Sequence, residues 1–177
     1  MTNKIDPFLR WVRRWIMVGL LMALLSGVGS TAAWASLHTY PENDGQILYR
    51  SRLSLQDDEH QAWQIILFKR VKAGQVQDFK LRIVGFPGQI ALSHPTPMRI
   101  GSDETTLSAI ADQTLDDPQL RSQIDSVGQY DVRDMMLHLD QAQRLEAQIL
   151  LKNGATRRLV IPKFMVREWL TLKEQMP

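Results

Sequence analysis

The chain contains no cysteine among its 177 residues. Without a thiol there is no lipoprotein anchor, no disulfide framework, no thiol catalysis and no cysteine-ligated metal or haem. The sequence also lacks a Gly-x-Ser-x-Gly nucleophile elbow, a P-loop and a Gly-x-Gly-x-x-Gly phosphate loop. A hydrolase whose Ser, His and Asp meet only in the fold is a less favoured alternative. The sequence therefore predicts no enzyme activity.

Metal-ligand spacing is absent as well. The histidines are far apart and have no ligand-type neighbour at a spacing such as His-x-x-x-His: His38, His60, His94 and His138. We interpret all of them as surface or loop residues. The acidic runs at 57–59 and 116–117 lack the alternating ligands and the glycine of a calcium loop, so they are interpreted as a solvated turn and a helix cap. No metal and no cofactor are predicted.

Residues 1–35 have the three-part layout of a secretory signal peptide. A basic start is followed by the apolar run Trp15 to Leu25 and by the small-x-small cleavage site Ala33-Trp34-Ala35. Cleavage is expected before Ser36, which predicts export. The alternative is an uncleaved membrane anchor, because Trp15 to Trp34 spans 20 residues, about the length that crosses a bilayer.

The rest of the chain has little net charge. Residues 36–177 carry 17 of the 21 Lys and Arg and 18 of the 19 Asp and Glu, which gives a formal charge of −1. The sequence pI of about 9.0 therefore reflects the leader and does not predict nucleic-acid binding. The 142 residues that follow the leader are enough for a single domain with a sizeable core.

What the chain does have is a block of three strand-like segments. Residues 47–55 and 79–83 alternate apolar and polar side chains, whereas residues 63–68 are apolar on both faces, as in a central strand. Turn-forming residues at 56–60 and 73–75 connect the segments. The pattern predicts an antiparallel meander.

The register of this meander follows from keeping the strongly apolar positions on one face. The expected pairs of the second hairpin are Lys72–Val76, Phe68–Lys80, Leu67–Leu81 and Ile65–Ile83, and those of the first are Leu55–Gln61, Leu53–Trp63 and Tyr49–Leu67. Both connections then place the same residues toward a core.

The opposite face of the meander combines an apolar centre with a basic rim. Its members are Arg50, Arg52, Ile66, Phe68, Arg70, Lys80 and Arg82. In one interpretation a helix partly covers Ile66 and Phe68, and the basic side chains extend beyond it. In the other, the face is a docking patch for a protein or an anionic headgroup. The basic pairs Lys69-Arg70 and Arg157-Arg158 are both expected at solvated strand ends.

The segments between the meander and residue 144 are expected to be short. Residues 89–92 and 98–100 are candidate short strands, but Pro95 and Pro97 between them exclude a central strand, so this part is expected to be an edge strand or a loop. The next segments predict a helix capped by Ser102 with Leu107, Ile110, Ala111 and Leu115 on one face, and a helical turn after Asp117-Pro118. A further helix is expected at Met135, Met136 and Leu139, with strand as the alternative from Tyr130 to Leu139.

The end of the chain predicts a hairpin followed by a helix. Asn153-Gly154 marks the turn between strands at 145–151 and 158–161, and a helix is expected from Lys163 to Glu174. The fold class is therefore one α+β domain over residues 36–177. It is mainly an antiparallel sheet, as an open meander, a small open barrel or a sandwich, with short helices. The C-terminal helix packs on the sheet, with the Ile66/Phe68 face as a candidate position.

Four segments of the chain form a recognisable set. They are Arg50-Ser51-Arg52-x-Ser54-Leu55, Trp63-Gln64-x-x-Leu67-Phe68-Lys69-Arg70, Val127-Gly128-Gln129-Tyr130-Asp131-Val132 and Ile161-Pro162-Lys163-Phe164-Met165-Val166-Arg167-Glu168-Trp169. Together they resemble an uncharacterised family of exported proteins from cyanobacteria, a domain of unknown function. The resemblance implies a photosynthetic bacterium and hence the periplasm or the thylakoid lumen. It implies no activity.

These observations predict an exported, non-catalytic accessory or interaction protein. Its partner is expected to be a membrane-associated protein complex and not nucleic acid, and membrane contact would come only from an uncleaved leader or the basic face. The alternative is a carrier of a small hydrophobic ligand, such as a lipid or pigment, in a cavity between sheet and helix lined by Tyr49, Trp63 and Leu81.

Overall fold

The predicted meander forms the centre of the larger of two antiparallel sheets. The computed structural model describes residues 36–102 and 108–176; the predicted leader and Leu107 lie outside this part of the chain. The strands and helices are β1 Ser36–Pro41, β2 Gln46–Gln56, β3 Ala62–Lys72, β4 Gln75–Gly85, β5 Met98–Gly101, β6 Ser108–Ile110, β7 Val127–Asp131, α1 Arg133–His138, β8 Leu145–Leu150, β9 Thr156–Ile161 and α2 Lys163–Glu174. The sheets have the orders β1-β2-β3-β4-β7 and β6-β5-β8-β9, and both are open.

The hairpin of β3 and β4 confirms most of the expected register. Leu67 pairs with Leu81 and Phe68 with Lys80, but a bulge after Arg70 shifts the pairing beyond it. Lys72 consequently pairs with Gln75 and not with Val76, which shortens the loop to Ala73-Gly74. Both loop residues have positive φ, 50° and 73°, as a type I′ turn requires.

The register predicted for β2 and β3 is wrong by two residues. Leu55 pairs with Trp63 instead of Gln61, because the five-residue turn begins at Asp57 and not at Gln56. The Asp57 carboxylate fixes this turn by accepting hydrogen bonds from the main-chain N–H groups of Glu59 and Gln61. Since side chains alternate with a period of two, the shift leaves the same residues on the same face.

The second sheet corrects the expectation for residues 102–115. Ser108–Ile110 is a strand that pairs with β5, and not part of a helix. Residues 89–92 form no strand, and Leu92 makes a single bridge to Leu151. The hairpin around Asn153-Gly154 is confirmed as β8 and β9, and Asp117 caps a short 3-10 helix that starts at Pro118.

Side chains from both sheets and from α2 form one buried cluster. The cluster includes Leu67 and Leu81 of the meander, Leu159 of β9 and Trp169 of α2. The C-terminal helix therefore packs on the Tyr49 face of the large sheet. It does not cover Phe68, which is buried outside this cluster.

Lys69 is buried in the core and not at a solvated strand end as predicted. Its side chain is on the face that α2 covers, where Nζ donates to the main-chain carbonyls of Lys173, at 2.7 Å, and Gln175. The rings of Tyr49 and Phe79 lie 5.5 and 5.9 Å from Nζ. Burial lowers the pKa of Lys69, and the ammonium group caps the C-terminal end of α2.

Asp57 and Arg157 are also less exposed than the sequence suggested. Besides the turn amides, the Asp57 carboxylate accepts a hydrogen bond from Trp63 Nε1 at 2.9 Å and lies 3.4 Å from Arg157 Nε. Asp57 also forms a β-bridge to Leu159 of β9. This carboxylate therefore links the turn between β2 and β3 in the large sheet to the edge of the small one.

Candidate functional site

The seven residues predicted to form the second face of the meander do lie on one face. Arg50 pairs with Phe68 and Arg52 with Ile66 across β2 and β3, and across β3 and β4 the same two apolar residues pair with Lys80 and Arg82. Paired residues of neighbouring strands point to the same side of a sheet. We call this surface the basic face; it consists of Arg50, Arg52, Ile66, Phe68, Arg70, Lys80 and Arg82.

Phe68 is covered by arginines and not by a helix. Phe68 is only 5% exposed, and the guanidinium carbons of Arg70 and Arg82 lie 5.1 and 5.3 Å from the centre of its ring. These distances are those of cation–π contacts, which favour guanidinium groups over aromatic rings. The ring thus positions two like charges close to each other at the surface of the sheet.

Neutral and acidic groups around the face hold these cations in place. Arg82 donates from Nε and Nη2 to Gln129 Oε1, at 3.0 and 2.6 Å, and lies 3.5 Å from Asp117. Arg70 Nε is 2.9 Å from Glu42. Burial lowers the pKa of Arg82, as does the charge of Arg70, whereas Asp117 opposes the shift.

These side chains line a pocket with a volume of about 360 Å³. We call it the Phe68 pocket; it is lined by Gln46, Phe68, Arg70, Asp78, Lys80, Arg82, Asp117, Gln119 and Gln129. Sequence patterning identified Phe68 and its three cations, because all four lie on one face of the meander. It missed Gln129, which β7 brings to that face by pairing with β4. It also missed Asp117 and Gln119, which lie at the start of the 3-10 helix Pro118–Gln123, in a distant part of the chain.

Arg50 and Arg52 form the other half of the basic face. Arg50 stacks on Tyr40 with its guanidinium carbon 4.7 Å from the ring centre, and its Nη2 donates to the Tyr40 hydroxyl at 2.7 Å. Its Nε is buried without a hydrogen-bond partner in the described part of the chain. Arg52 is exposed. This half thus presents positive charge to solvent.

Apolar residues continue the face beyond Ile66. Val84 pairs with Gln64 on the same side of the sheet, and Phe86, just past the end of β4, is 57% exposed. Both line a shallow pocket of about 260 Å³ beside Pro87. The alternation of side chains along β4 would have identified Val84 as a member of this face. The exposure of Phe86 depends on the turn that follows β4.

His94 and Asp112 form a buried pair that the sequence did not predict. Their side chains are only 6% and 1% exposed, and Nδ1 of His94 lies 2.5 Å from Asp112 Oδ2. This is the orientation of the histidine and carboxylate in a catalytic triad. However, Nε2 of His94 is bonded to the main-chain carbonyl of Ile124 at 2.8 Å, so it is not free to activate a nucleophile. We interpret the pair as structural.

The residues expected to line a ligand cavity between sheet and helix are part of the core. Tyr49, Trp63 and Leu81 belong to the same buried cluster as Trp169 of α2. A ligand bound among them would have to displace packed side chains, which is costly in interiors of near-crystalline density.

Among residues 36–102 and 108–176, no group of three or more His, Cys, Asp or Glu side chains is placed to hold a metal ion. The helices of this described part are also too short and too polar to span a bilayer. The predicted anchor, Trp15 to Trp34, lies outside it.

Comparison with known proteins identifies a family. No curated protein and no solved structure matches the chain significantly. One family model does match, over residues 35–172, which is most of the chain and includes every residue of the basic face. The chain therefore belongs to the family described as Protein of unknown function (DUF3122).

Proposed function

We propose that this protein is an exported, non-catalytic accessory protein that docks through its basic face onto an acidic surface of a membrane-associated protein complex. The observation that carries the proposal is the grouping of five basic side chains on one face of the large sheet, opposite the face that α2 covers. Complementary charge guides such encounters and fixes their orientation.

Incomplete neutralisation of these charges supports an acidic partner. The carboxylates nearest to Lys80 and Arg82 are 3.8 and 3.5 Å away, whereas Arg70 is paired with Glu42 at 2.9 Å. The separations at Lys80 and Arg82 are longer than the roughly 2.7–2.9 Å of a strong charge-assisted hydrogen bond. These two cations can therefore also interact with an external anionic group.

The apolar part of the face supports a protein surface as the partner. Ile66 and Val84 are partly exposed beside the cations, and Phe86 projects further. Protein interfaces typically combine such a small apolar centre with a polar rim, and they are enriched in aromatic residues and arginine.

Export is the second part of the proposal and comes from the signal-peptide pattern of residues 1–35. We place the mature protein in the periplasm or thylakoid lumen of a cyanobacterium, with a membrane anchor formed by an uncleaved leader as the alternative. N-terminal sequencing of the protein recovered from the exported fraction tests this. A start at Ser36 supports export with cleavage; an intact N-terminus in the membrane fraction supports the anchor.

Charge-dependent capture tests the docking. Immobilised wild-type protein and the variant Arg52→Glu/Lys80→Glu are incubated with detergent-solubilised membranes of the source organism. The control Arg99→Glu/Arg167→Glu makes the same charge change at an exposed residue of β5 and at an exposed residue of α2, the helix that packs on the opposite face of the large sheet. We expect a partner that is retained by wild type and the control and lost from the face variant.

Salt provides an independent check on that result. The Debye length falls from about 8 Å at 0.15 M ionic strength to about 3 Å at 1 M, so capture should weaken steeply with salt. Retention that is insensitive to salt, or equal loss from both charge variants, would contradict docking through the basic face.

A second candidate function is binding of a small hydrophobic ligand, favoured by a different cavity. A pocket of about 470 Å³ lies between the small sheet and α1, with Ile100, Ile110, Met135, Leu139 and Leu145 among its lining residues. This volume is within the range of small-molecule sites, which are mostly apolar. Ser102 and Ser108 also line it, and residues 103–107 between them lie outside the described part of the chain.

Filling this cavity tests the second candidate. Binding of a fluorescent fatty acid to wild type is compared with binding to Met135→Trp, which adds bulk to the cavity, and to Leu137→Trp, which adds the same bulk at an exposed position of α1. Loss of binding only in Met135→Trp supports a ligand in this cavity. Equal binding by all three proteins excludes it.

A further inference from the structure

We infer that the Phe68 pocket receives a single carboxylate of the docking partner, from an aspartate or glutamate side chain or a chain terminus. This inference rests on the proposed docking function and makes the pocket its specificity-determining part. The pocket volume of about 360 Å³ is near the lower end of the range for small-molecule sites, so it suits an inserted side chain.

The first argument is the supply of hydrogen-bond donors. Lys80 Nζ has one carboxylate within 4 Å in the described part of the chain, Asp78 at 3.8 Å, and Asp131 lies opposite Lys80 on β7. Its three N–H groups therefore have no partner at hydrogen-bond distance in that part of the chain. Arg82 donates to the neutral Gln129 amide, and its carboxylate neighbour Asp117 is 3.5 Å away. An oxyanion between these two cations would gain charge-assisted hydrogen bonds.

The second argument is preorganisation. Stacking on Phe68 and the hydrogen bonds that the two arginines donate to Gln129 and Glu42 fix the two guanidinium planes before any ligand arrives. Less side-chain entropy is then lost on binding. Guanidinium groups held in this way suit the planar, two-oxygen geometry of a carboxylate.

The third argument is the repulsion that a doubly charged anion would meet. The lining contains three cations, Arg70, Lys80 and Arg82, and two carboxylates, Asp78 and Asp117, and Glu42 pairs with Arg70 from outside the lining. A carboxylate adds a single negative charge to this balanced set. A phosphate, with about −1.5 to −2 charges at neutral pH, would meet repulsion from both aspartates.

A titration with short blocked peptides tests this inference on the purified protein. The probes are acetyl-Gly-Ser-X-Ser-Gly-amide peptides in which X is glutamate, glutamine or phosphoserine, and the readout is the NMR signal of the arginine Nε–H groups. We expect the glutamate peptide to shift the Arg82 and Arg70 signals. The glutamine peptide should not shift them, and phosphoserine should bind no more tightly than glutamate.

Matched variants separate the pocket from general surface charge. Gln119→Glu adds a carboxylate at an exposed residue that lines the pocket, whereas Gln123→Glu adds it at the exposed end of the same 3-10 helix, outside the pocket lining. We expect Gln119→Glu to weaken binding of the glutamate peptide about tenfold, and Gln123→Glu to leave it within about twofold.

Three results would overturn the carboxylate assignment: no shift with the glutamate peptide, tighter binding of the phosphoserine peptide, or equal effects of the two glutamate variants. The docking function fails in a different experiment. If Arg52→Glu/Lys80→Glu abolishes membrane-complex capture but Gln119→Glu leaves capture and peptide binding unchanged, docking stands and the pocket inference is wrong. If the glutamate peptide binds as expected but capture does not depend on charge, the pocket assignment stands and the proposed docking is wrong.

Discussion

The partners of the two ring nitrogens of His94 favour its charged form. One nitrogen faces the Asp112 carboxylate and the other the Ile124 carbonyl, and both are acceptors. Only an imidazolium can donate from both nitrogens. The bond to Asp112 is the main reason that the pKa of His94 is raised above 6.5. Burial raises the pKa of Asp112, but bonds from His94 and Thr114 outweigh this effect and lower it below 3.8.

Replacing this histidine should change the pH dependence of stability. The contribution of His94 to stability is complete below pH 6.5 and is lost as the pH rises through its raised folded-state pKa. The contribution of Asp112 to stability is present above pH 3.8 and is lost as the pH falls through its lowered folded-state pKa. We expect His94→Gln to lower the free energy of unfolding by about 2–4 kcal/mol between about pH 4 and 6.5, with a smaller loss at higher pH.

Urea unfolding of both proteins from pH 4 to 9 measures this difference. The control is His138→Gln, which makes the same replacement at an exposed position of α1. A constant stability difference across the whole pH range would show that His94 contributes packing and not charge.

The buried charged residues were the least predictable from sequence. Lys69 follows the same alternation as Leu67 and Val71 and so points into the core, but a lysine in that position is ordinarily assigned to solvent. What makes its burial tolerable is the pair of carbonyls at the end of α2, about 100 residues later in the chain. His94 and Asp112 likewise meet only through tertiary contacts.

At the scale of elements, the tight turn between β3 and β4 fixes the geometry beneath the Phe68 pocket. The two-residue loop Ala73-Gly74 and the bulge after Arg70 together set where Arg70 lies relative to Asp78. Ala73 has φ of 50°, and a residue with a Cβ pays about 1–2 kcal/mol in this left-handed region. Asparagine tolerates it better and is preferred at this position of a type I′ turn.

We therefore expect Ala73→Asn to stabilise the protein by about 0.5–1 kcal/mol. Residue 73 is exposed, so the change removes no packing. Thermal unfolding followed by circular dichroism measures the effect. Ala73→Val provides the opposite test, because a β-branched residue at positive φ should destabilise the turn. A lower melting temperature for Ala73→Asn would mean that the turn is not of this type.

The elements were predictable where local pattern and turn chemistry agreed. The meander, the Asn153-Gly154 hairpin and α2 follow directly from periodicity and turn residues. The helix expected around Ile110 was wrong because β6 is only three residues long and is defined by its pairing with β5, which a local window does not contain. The face on which α2 packs was equally undetermined, since both faces of β3 are apolar.

For the whole molecule, the shared core implies that the two sheets and α2 depend on one another for stability. Residues 36–102 and 108–176 belong to one compact unit, and its buried cluster draws on both sheets and on α2. Asp57 reinforces the connection through Trp63, Arg157 and the bridge to Leu159. The basic face is thus carried on a sheet whose opposite side is anchored by the rest of the domain.

This dependence predicts that a cavity in the small sheet will weaken the large one. Leu159 of β9 is fully buried, and Leu159→Ala should lower the free energy of unfolding by about 2–5 kcal/mol. Because unfolding is expected to be cooperative, the protection of slowly exchanging amides in β3 should fall by the same amount as in β9. Hydrogen exchange resolved by residue measures both. The control Leu137→Ala, at a residue that is 64% exposed, should leave the protection of both strands unchanged. A loss of protection confined to β8 and β9 would mean that the sheets unfold separately and that the basic face does not depend on the second sheet.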